Sequence, residues 1–226
     1  MQKINVITVG GAVVEDSTSL ACLIQQFATL PGYKILVHGG GRSATRIAAQ
    51  LGIESHMVGG RRITDEDMLQ VVTMVYGGLV NKRIVAALQA QGVNAIGLTG
   101  ADMDIIRSHR RAPKMVTMDD GTQAIVDFGF VGDVDYANGH RLAKLIIPQD
   151  NSDAVVPVVA PLTHDGQGNI LNTNADTMAA TVAKALTPHF EVTLTYCFEK
   201  SGVLTNPDDD NSVIPTSNTQ SYAQLK

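Results

Sequence analysis

The sequence predicts an α/β protein: an open, mainly parallel sheet with helices on both faces, a three-layer α/β/α sandwich. Three observations predict it. Short apolar runs alternate with segments of helical spacing along most of the chain. The first two runs, in "INVITVGGA" (4–12) and "YKILVHGGGR" (33–42), end in glycines, as buried strands do where they turn into a loop. And 226 residues, 44% apolar and 17% charged, suffice for one large domain or two small lobes of ordinary globular composition.

Each element can be justified in order. Ile4–Val9 is an apolar run and reads as a strand, Ser17–Leu30 has helical spacing, and Tyr33–Val37 is a second strand. Ser43–Leu51 is a helix stopped by Gly52. Thr64 is expected to cap the longest helix, with Asp67 three residues on completing a capping box. Met68, Val71, Val72, Val75, Leu79, Ile84 and Leu88 recur at helical spacing, so that helix is expected to be substantially buried. Asn94–Leu98 is the next strand. From Ile105 to Val134 short runs such as "QAIVDFGF" surround the polar connection "DDGTQ", which predicts antiparallel strands lying over one end of the sheet. Ala154–Ala160 is a buried strand, "HDGQGNI" a turn with Ile170–Leu171 returning, Asp176–Leu186 an alanine-rich helix, Glu191–Phe198 a strand, and "TNPDDDNS" a surface loop.

Composition narrows the function. A net charge of −5 argues against a general nucleic-acid binder. No stretch reaches the roughly 18 apolar residues of a membrane span. Cys22 and Cys197 lie far apart, form no metal-ligand cluster and fit free thiols in a reducing cytoplasm.

Chemistry concentrates at three places. Gly10, Gly11 and Gly39–Gly41 follow two early strands, where backbone N–H groups can approach an anion closely; a pair of tight turns is the plainer alternative. Neither G-x-G-x-x-G nor G-x-x-x-x-G-K-[ST] is present. Arg61 and Arg62 in "GGRRIT" can grip a carboxylate or form a solvated basic turn. "LNTNAD" places Asn172, Asn174 and Asp176 between a strand and a helix; capping explains one of them, and three suggest a polar cluster around a ligand. "HRRAPK" (109–114) reads as a solvated charge run rather than an acidic-substrate trap. His38 is expected to be a packed, hydrogen-bonded imidazole rather than a base.

"VGG", "VHGGGR", "GRRIT", "YGGLVNK", "GLTGAD", "GFVGDV", "APLTHDG", "LNTNAD" and "SGVL" follow one another along essentially the whole chain. In this order they resemble the amino acid kinase family, in its branch that phosphorylates the side-chain carboxylate of an N-acylated glutamate with ATP in arginine biosynthesis. The resemblance implies an amino acid kinase-like fold. Residues 1–175 would form an N-terminal lobe for acylglutamate binding and dimerisation, and residues 176–226 the start of an ATP lobe shorter than the family's. It implies ATP with Mg2+ held mainly by phosphates and water, no protein metal site, a cytoplasmic homodimer, and no nucleic-acid or membrane partner. Carried over by position, Gly10, Gly11, Gly40 and Gly41 would hold phosphates and the acceptor carboxylate through N–H groups. Arg62 would bind the substrate α-carboxylate, Asn172 would touch the substrate nearby, and Asp176 would orient catalytic lysines. Glu199, Ser201, Gly202 and Val203 would border the nucleotide.

Two departures accompany the resemblance. Thr8 stands where the family has a lysine, and a second family lysine, in a C-terminal G-G-M-x-x-K segment, has no match in "SYAQLK", Lys226 included. Three readings follow: the family activity, which is favoured; an acylglutamate- or nucleotide-binding relative with impaired turnover; or activity supported by another cation such as Lys82 or Lys200. The glutamate carboxylates are common to acetyl- and succinyl-glutamate, so both remain substrates. The lack of a helix before the first strand leads to the expectation of an arginine-insensitive enzyme.

Overall fold

A computed structural model describes residues 1–118, 121–148, 153–206 and 208–218. Asp119 and Asp120 of the predicted polar connection, Pro207 of the surface loop, and Lys226 lie outside the described residues.

The centre is a five-stranded sheet. Its strands are β1 (Lys3–Val9), β2 (Tyr33–His38), Ala95–Leu98, Val156–Val159 and Glu191–Cys197. Glu191–Cys197 pairs with β1, β1 with β2, β2 with Val156–Val159, and that strand with Ala95–Leu98; every pairing is parallel. The side-chain alternation of strands makes two cores from one sheet. Ile7 and Val9 of β1, with Leu36 of β2, pack under helices Ser17–Thr29, Gly41–Gln50 and the long helix Glu66–Gln89. Ile4, Val6, Ile35 and Val37 point the other way, onto helices Gly139–Ile146 and Ala175–Leu186. The α/β/α layering therefore follows directly from the β1 and β2 sequences.

A second, four-stranded sheet joins Ile106–Arg110, Gly132–Ala137, Leu162–His164 and Ile170–Asn172, and a separate antiparallel hairpin pairs Lys114–Thr117 with Gln123–Val126. This is the antiparallel region expected between 105 and 134. The run His109–Arg111 is not simply solvated. His109 contacts Asp135 at 2.6 Å, Arg110 reaches Asp127 at 3.3 Å, and the Arg111 Nε donates to Asp133 at 3.0 Å, all on facing segments.

The long helix departs from expectation in three ways. Its N-cap is Asp65, whose carboxylate accepts from the Met68 N–H at 2.8 Å. Thr64 cannot serve, because it is bridged to Gly129 and its hydroxyl accepts from Asn172 Nδ2 at 2.9 Å. Second, Thr73–Val80 is π-helical, and that wider turn brings Tyr76 inward while Met74 and Leu79 face out, 55% and 52% exposed. Third, its length and apolar composition alone would be enough to cross a membrane. Here its buried side, from Met68 through Val75 to Ile84 and Leu88, packs on the sheet. The helix Gly139–Ile146, not anticipated from the sequence, starts at Asn138, whose side chain accepts from the Arg141 N–H at 3.1 Å.

Candidate functional site

Both glycine segments lie at the carboxyl ends of adjacent parallel strands, where ligands bind open α/β sheets. They form one wall of a cleft of about 240 Å³. Gly11, Gly40 and Gly41 bring their backbones close together. A Cβ on Gly11 would lie 3.6 Å from the Gly41 nitrogen, 3.7 Å from that of Gly40 and 4.0 Å from that of Arg42. Gly41 and Arg42 are in the first turn of their helix, where N–H groups have no intrahelical acceptor. Several amide donors therefore converge on one spot, an arrangement suited to an anion. Gly10 differs: its N–H is committed to the Cys197 carbonyl at 2.9 Å, so it shapes the wall without offering that donor.

The opposite wall comes from sequence-distant segments. Arg61 and Arg62 form the short strand after Gly60, and both line the cleft. Arg62 is buried at 8% exposure, with Nη2 donating to the Gly41 carbonyl at 2.8 Å and to Thr45 Oγ1 at 2.9 Å. Its Nη1 bonds Ser55 Oγ and lies 4.0 Å from Met68 Sδ. A guanidinium has five N–H donors. The two Nη2 bonds hold the group in place, and the Nη1 contacts to Ser55 and to the sulfur are the ones a ligand carboxylate would have to displace. Burial pushes the Tyr76 hydroxyl above its usual range, and the neighbouring Arg62 guanidinium works in the opposite direction.

Asn172 ends the strand Ile170–Asn172, tied by its N–H to Phe130 O at 2.8 Å and by its side chain to Thr64. Asn174 caps the following helix, accepting from Thr177 N–H at 2.9 Å, and Asp176 occupies the first turn. The Asp176 carboxylate accepts from the Thr8 hydroxyl at 3.3 Å. Position 8 therefore sits beside Asp176, where a lysine ammonium would meet that carboxylate, but the side chain there is a hydroxyl. Arg61 and Arg62 are the cationic side chains lining the cleft among the described residues.

Gly10, Gly11, Gly40, Gly41, Arg62, Asn172 and Asp176 thus share one cleft, with Thr8 behind it. Glu199, Ser201, Gly202 and Val203 do not line it. They follow strand Glu191–Cys197 on the rim, where Glu199 pairs with Arg42 at 3.1 Å and Val203 is 64% exposed. The alternative cations also lie elsewhere: Lys82 Nζ is 3.3 Å from the Gly97 carbonyl, and Lys200 pairs with Asp210 at 2.7 Å. Tyr76 and Asn81 were not anticipated as parts of this region. Asn81 does carry a signal, being a polar residue in register with the buried Ile84 and Leu88.

The sequence pattern of the amino acid kinase family matches residues 3–225. The chain belongs to the amino acid kinase family. The chain is also similar to relatives named acetylglutamate kinase. That of Bacteroides thetaiotaomicron is 62% identical, the match covering 95% of this chain and 77% of the relative. That of Phocaeicola vulgatus is 58% identical, over 99% of this chain and 81% of the relative. Among solved structures, smu.665 from Streptococcus mutans UA159 superposes with a TM-score of 0.71 at 25% identity, over 90% of this chain and 75% of that one. In this amino acid kinase the glycine segments, Arg62 and "LNTNAD" fall within the matched region.

Proposed function

We propose that the chain catalyses ATP-dependent phosphorylation of the side-chain carboxylate of an N-acylglutamate, acetyl- or succinyl-glutamate, a step of arginine biosynthesis. The relatives named acetylglutamate kinase support the reaction, and none of them favours a binding-only protein. The observation that carries the reading is the single cleft in which amide donors from two glycine segments face a buried arginine.

The chemistry follows from these groups. An ionised carboxylate oxygen attacks the γ-phosphorus in line, the bond to the β-bridging oxygen breaks, and ADP and an acyl phosphate result, with no proton to remove first. The N–H groups of Gly11, Gly40 and Gly41 meet the negative charge that spreads over acceptor and phosphoryl oxygens. Arg62 holds the α-carboxylate at a fixed distance and Asn172 contacts the same end, while Asp176, which accepts from Thr8, lines the nucleotide side of the cleft where the family's lysines would be oriented. Residues 1–175 supply the acylglutamate side. Residues from 176 onward supply the nucleotide side, with Glu199–Val203 at its border. Among the described residues no three His, Cys, Asp or Glu side chains cluster as a metal site. Mg2+ brought in with ATP would be held mainly by phosphates and water and would supply charge neutralisation there.

The same proposal includes a cytoplasmic homodimer. Met74 and Leu79 leave two large apolar side chains exposed on one helix, which a second copy can cover. The test of the reaction is trapping of the acyl phosphate with hydroxylamine. Hydroxamate that requires both ATP and acetyl- or succinyl-glutamate is expected; none with either substrate overturns the reading.

A further inference from the structure

Behind the second glycine segment lies a buried polar pair with no part in the chemistry above. His38 ends β2 with no solvent exposure, and its Nδ1 is 2.7 Å from the carbonyl oxygen of Gly39. Its Nε2 is 3.1 Å from Nδ2 of Asn81, itself 1% exposed on the long helix. Asn81 Nδ2 also lies 2.9 Å from the Val158 carbonyl. A carbonyl only accepts, so Val158 fixes which end of the Asn81 amide is the NH2 group. That NH2 donates to a lone pair on His38 Nε2, which leaves the ring proton on Nδ1. The Gly39 carbonyl requires the same tautomer. Two independent partners therefore select one neutral imidazole.

The consequence falls on the cleft. A trans peptide points its C=O and its N–H in opposite directions. With the Gly39 carbonyl held against His38, the N–H of Gly40 points away from the core, on the side where its nitrogen approaches Gly11. The peptides on either side are held by backbone alone, Gly39 N–H to Val9 O at 2.8 Å and Gly40 O accepting from Ala44 N–H at 3.0 Å. Only the peptide between Gly39 and Gly40 relies on a side chain.

We propose that His38 and Asn81 are positioning residues, a tautomer-locked pair that aims the Gly40 N–H at the reacting carboxylate or phosphoryl oxygen. This rests on the reading that the reacting groups sit at the glycine segments. His38 is no general base in this scheme. Its proton faces a carbonyl, its lone pair is occupied, and burial lowers its pKa to about 4.

The full-length chain is compared with His38→Leu, His38→Asn and Asn81→Leu by steady-state hydroxamate formation. Leucine removes the donor to Gly39. Asparagine restores it, because its amide nitrogen falls near the place of Nδ1. Removal of one aligned oxyanion donor slows reactions by about 10²–10³, so a misaimed donor in His38→Leu should lower kcat by roughly 10–100-fold with little change in KM for ATP. His38→Asn should recover most of the loss. Nitrogen-15 spectra of the parent should show the Nδ1–H tautomer, and Asn81→Leu should keep it through the Gly39 carbonyl while the Nε2 resonance moves as its donor is lost. Titration with N-acetylglutamate should shift the Gly40 amide resonance in the parent and much less in His38→Leu. A His38→Leu enzyme with parental kcat, a folded His38→Asn enzyme as slow as His38→Leu, or an Nε2–H tautomer in the parent overturns the inference. If the parent forms no hydroxamate, the proposed reaction falls instead, and the tautomer and the Gly40 shift decide the positioning claim without turnover.

Discussion

Acid should destabilise this protein through His38, by an amount its burial sets. The folded ring has a pKa of about 4 where an ordinary histidine has 6.5. As the pH falls through 6.5 the unfolded chain takes up a proton that the folded ring refuses until about 4. The unfolded state binds more protons in that window, so stability is intact above the unfolded pKa and is lost on the way down. A gap of this size is worth about 3 kcal/mol once both forms are protonated, and about 2 kcal/mol between roughly pH 7.5 and pH 5. Urea unfolding at those two pH values, for the parent and His38→Asn, isolates the effect, since the remaining titrating groups are common to both. With a urea slope of about 1–3 kcal/mol/M, the parent midpoint should fall further than the variant's by about 1 M. Equal pH dependence in the two proteins would refute the claim that a buried neutral imidazole is responsible.

Three further outcomes follow from packing. In Gly40→Ala the new methyl would lie 2.9 Å from the Tyr76 ring, so the variant should lose about 1–3 kcal/mol in thermal or urea unfolding together with its activity; parental stability would show that the ring has room to move. Lys34 Nζ donates to the carbonyls of Phe27, Ala28 and Leu30 at 2.8–2.9 Å at the end of helix Ser17–Thr29. Lys34→Met should cost about 2–3 kcal/mol by leaving those oxygens without a donor, read as a lower urea midpoint with early amide exchange in that helix. Met74→Glu should split the proposed homodimer in sedimentation at micromolar concentration, and a parent chain that already sediments as a monomer contradicts the assembly.

Most of the framework was legible because burial on both faces leaves a strong mark. The β1 and β2 runs, the long helix and the antiparallel insertion all carry their period in the sequence. What stayed hidden depends on distant partners. Thr64 has the right residue type for an N-cap, but Asn172, 108 positions later, occupies its hydroxyl and Asp65 takes the role. The helix Gly139–Ile146 has a usable signal in Asn138 and in Leu142, Ala143 and Ile146, one that its short length made easy to overlook. The π-helical turn has no local signature, so nothing in the sequence said that Tyr76 would turn inward and Met74 outward. In the cleft, residue types were readable but hydrogen-bond commitments were not. Gly10 gives its N–H to Cys197, and Thr8 meets Asp176 only because Ala175–Leu186 packs beside β1. His38 is a packed imidazole, as its place at the end of a buried strand predicts, while its partner Asn81 lies 43 positions away on the long helix and meets it only through the packing of that helix on the sheet.

Calorimetric titration of N-acetylglutamate and N-succinylglutamate into the parent chain and into Arg62→Ala tests the central claim most directly. The claim is that this cleft holds an acylglutamate by its α-carboxylate. An arginine–carboxylate contact at a buried site contributes roughly 1.5–3 kcal/mol. The account therefore predicts saturable binding of at least one acylglutamate to the parent, weakened about ten- to a hundred-fold in Arg62→Ala. No binding to the parent, or equal affinity in the two proteins, would contradict it.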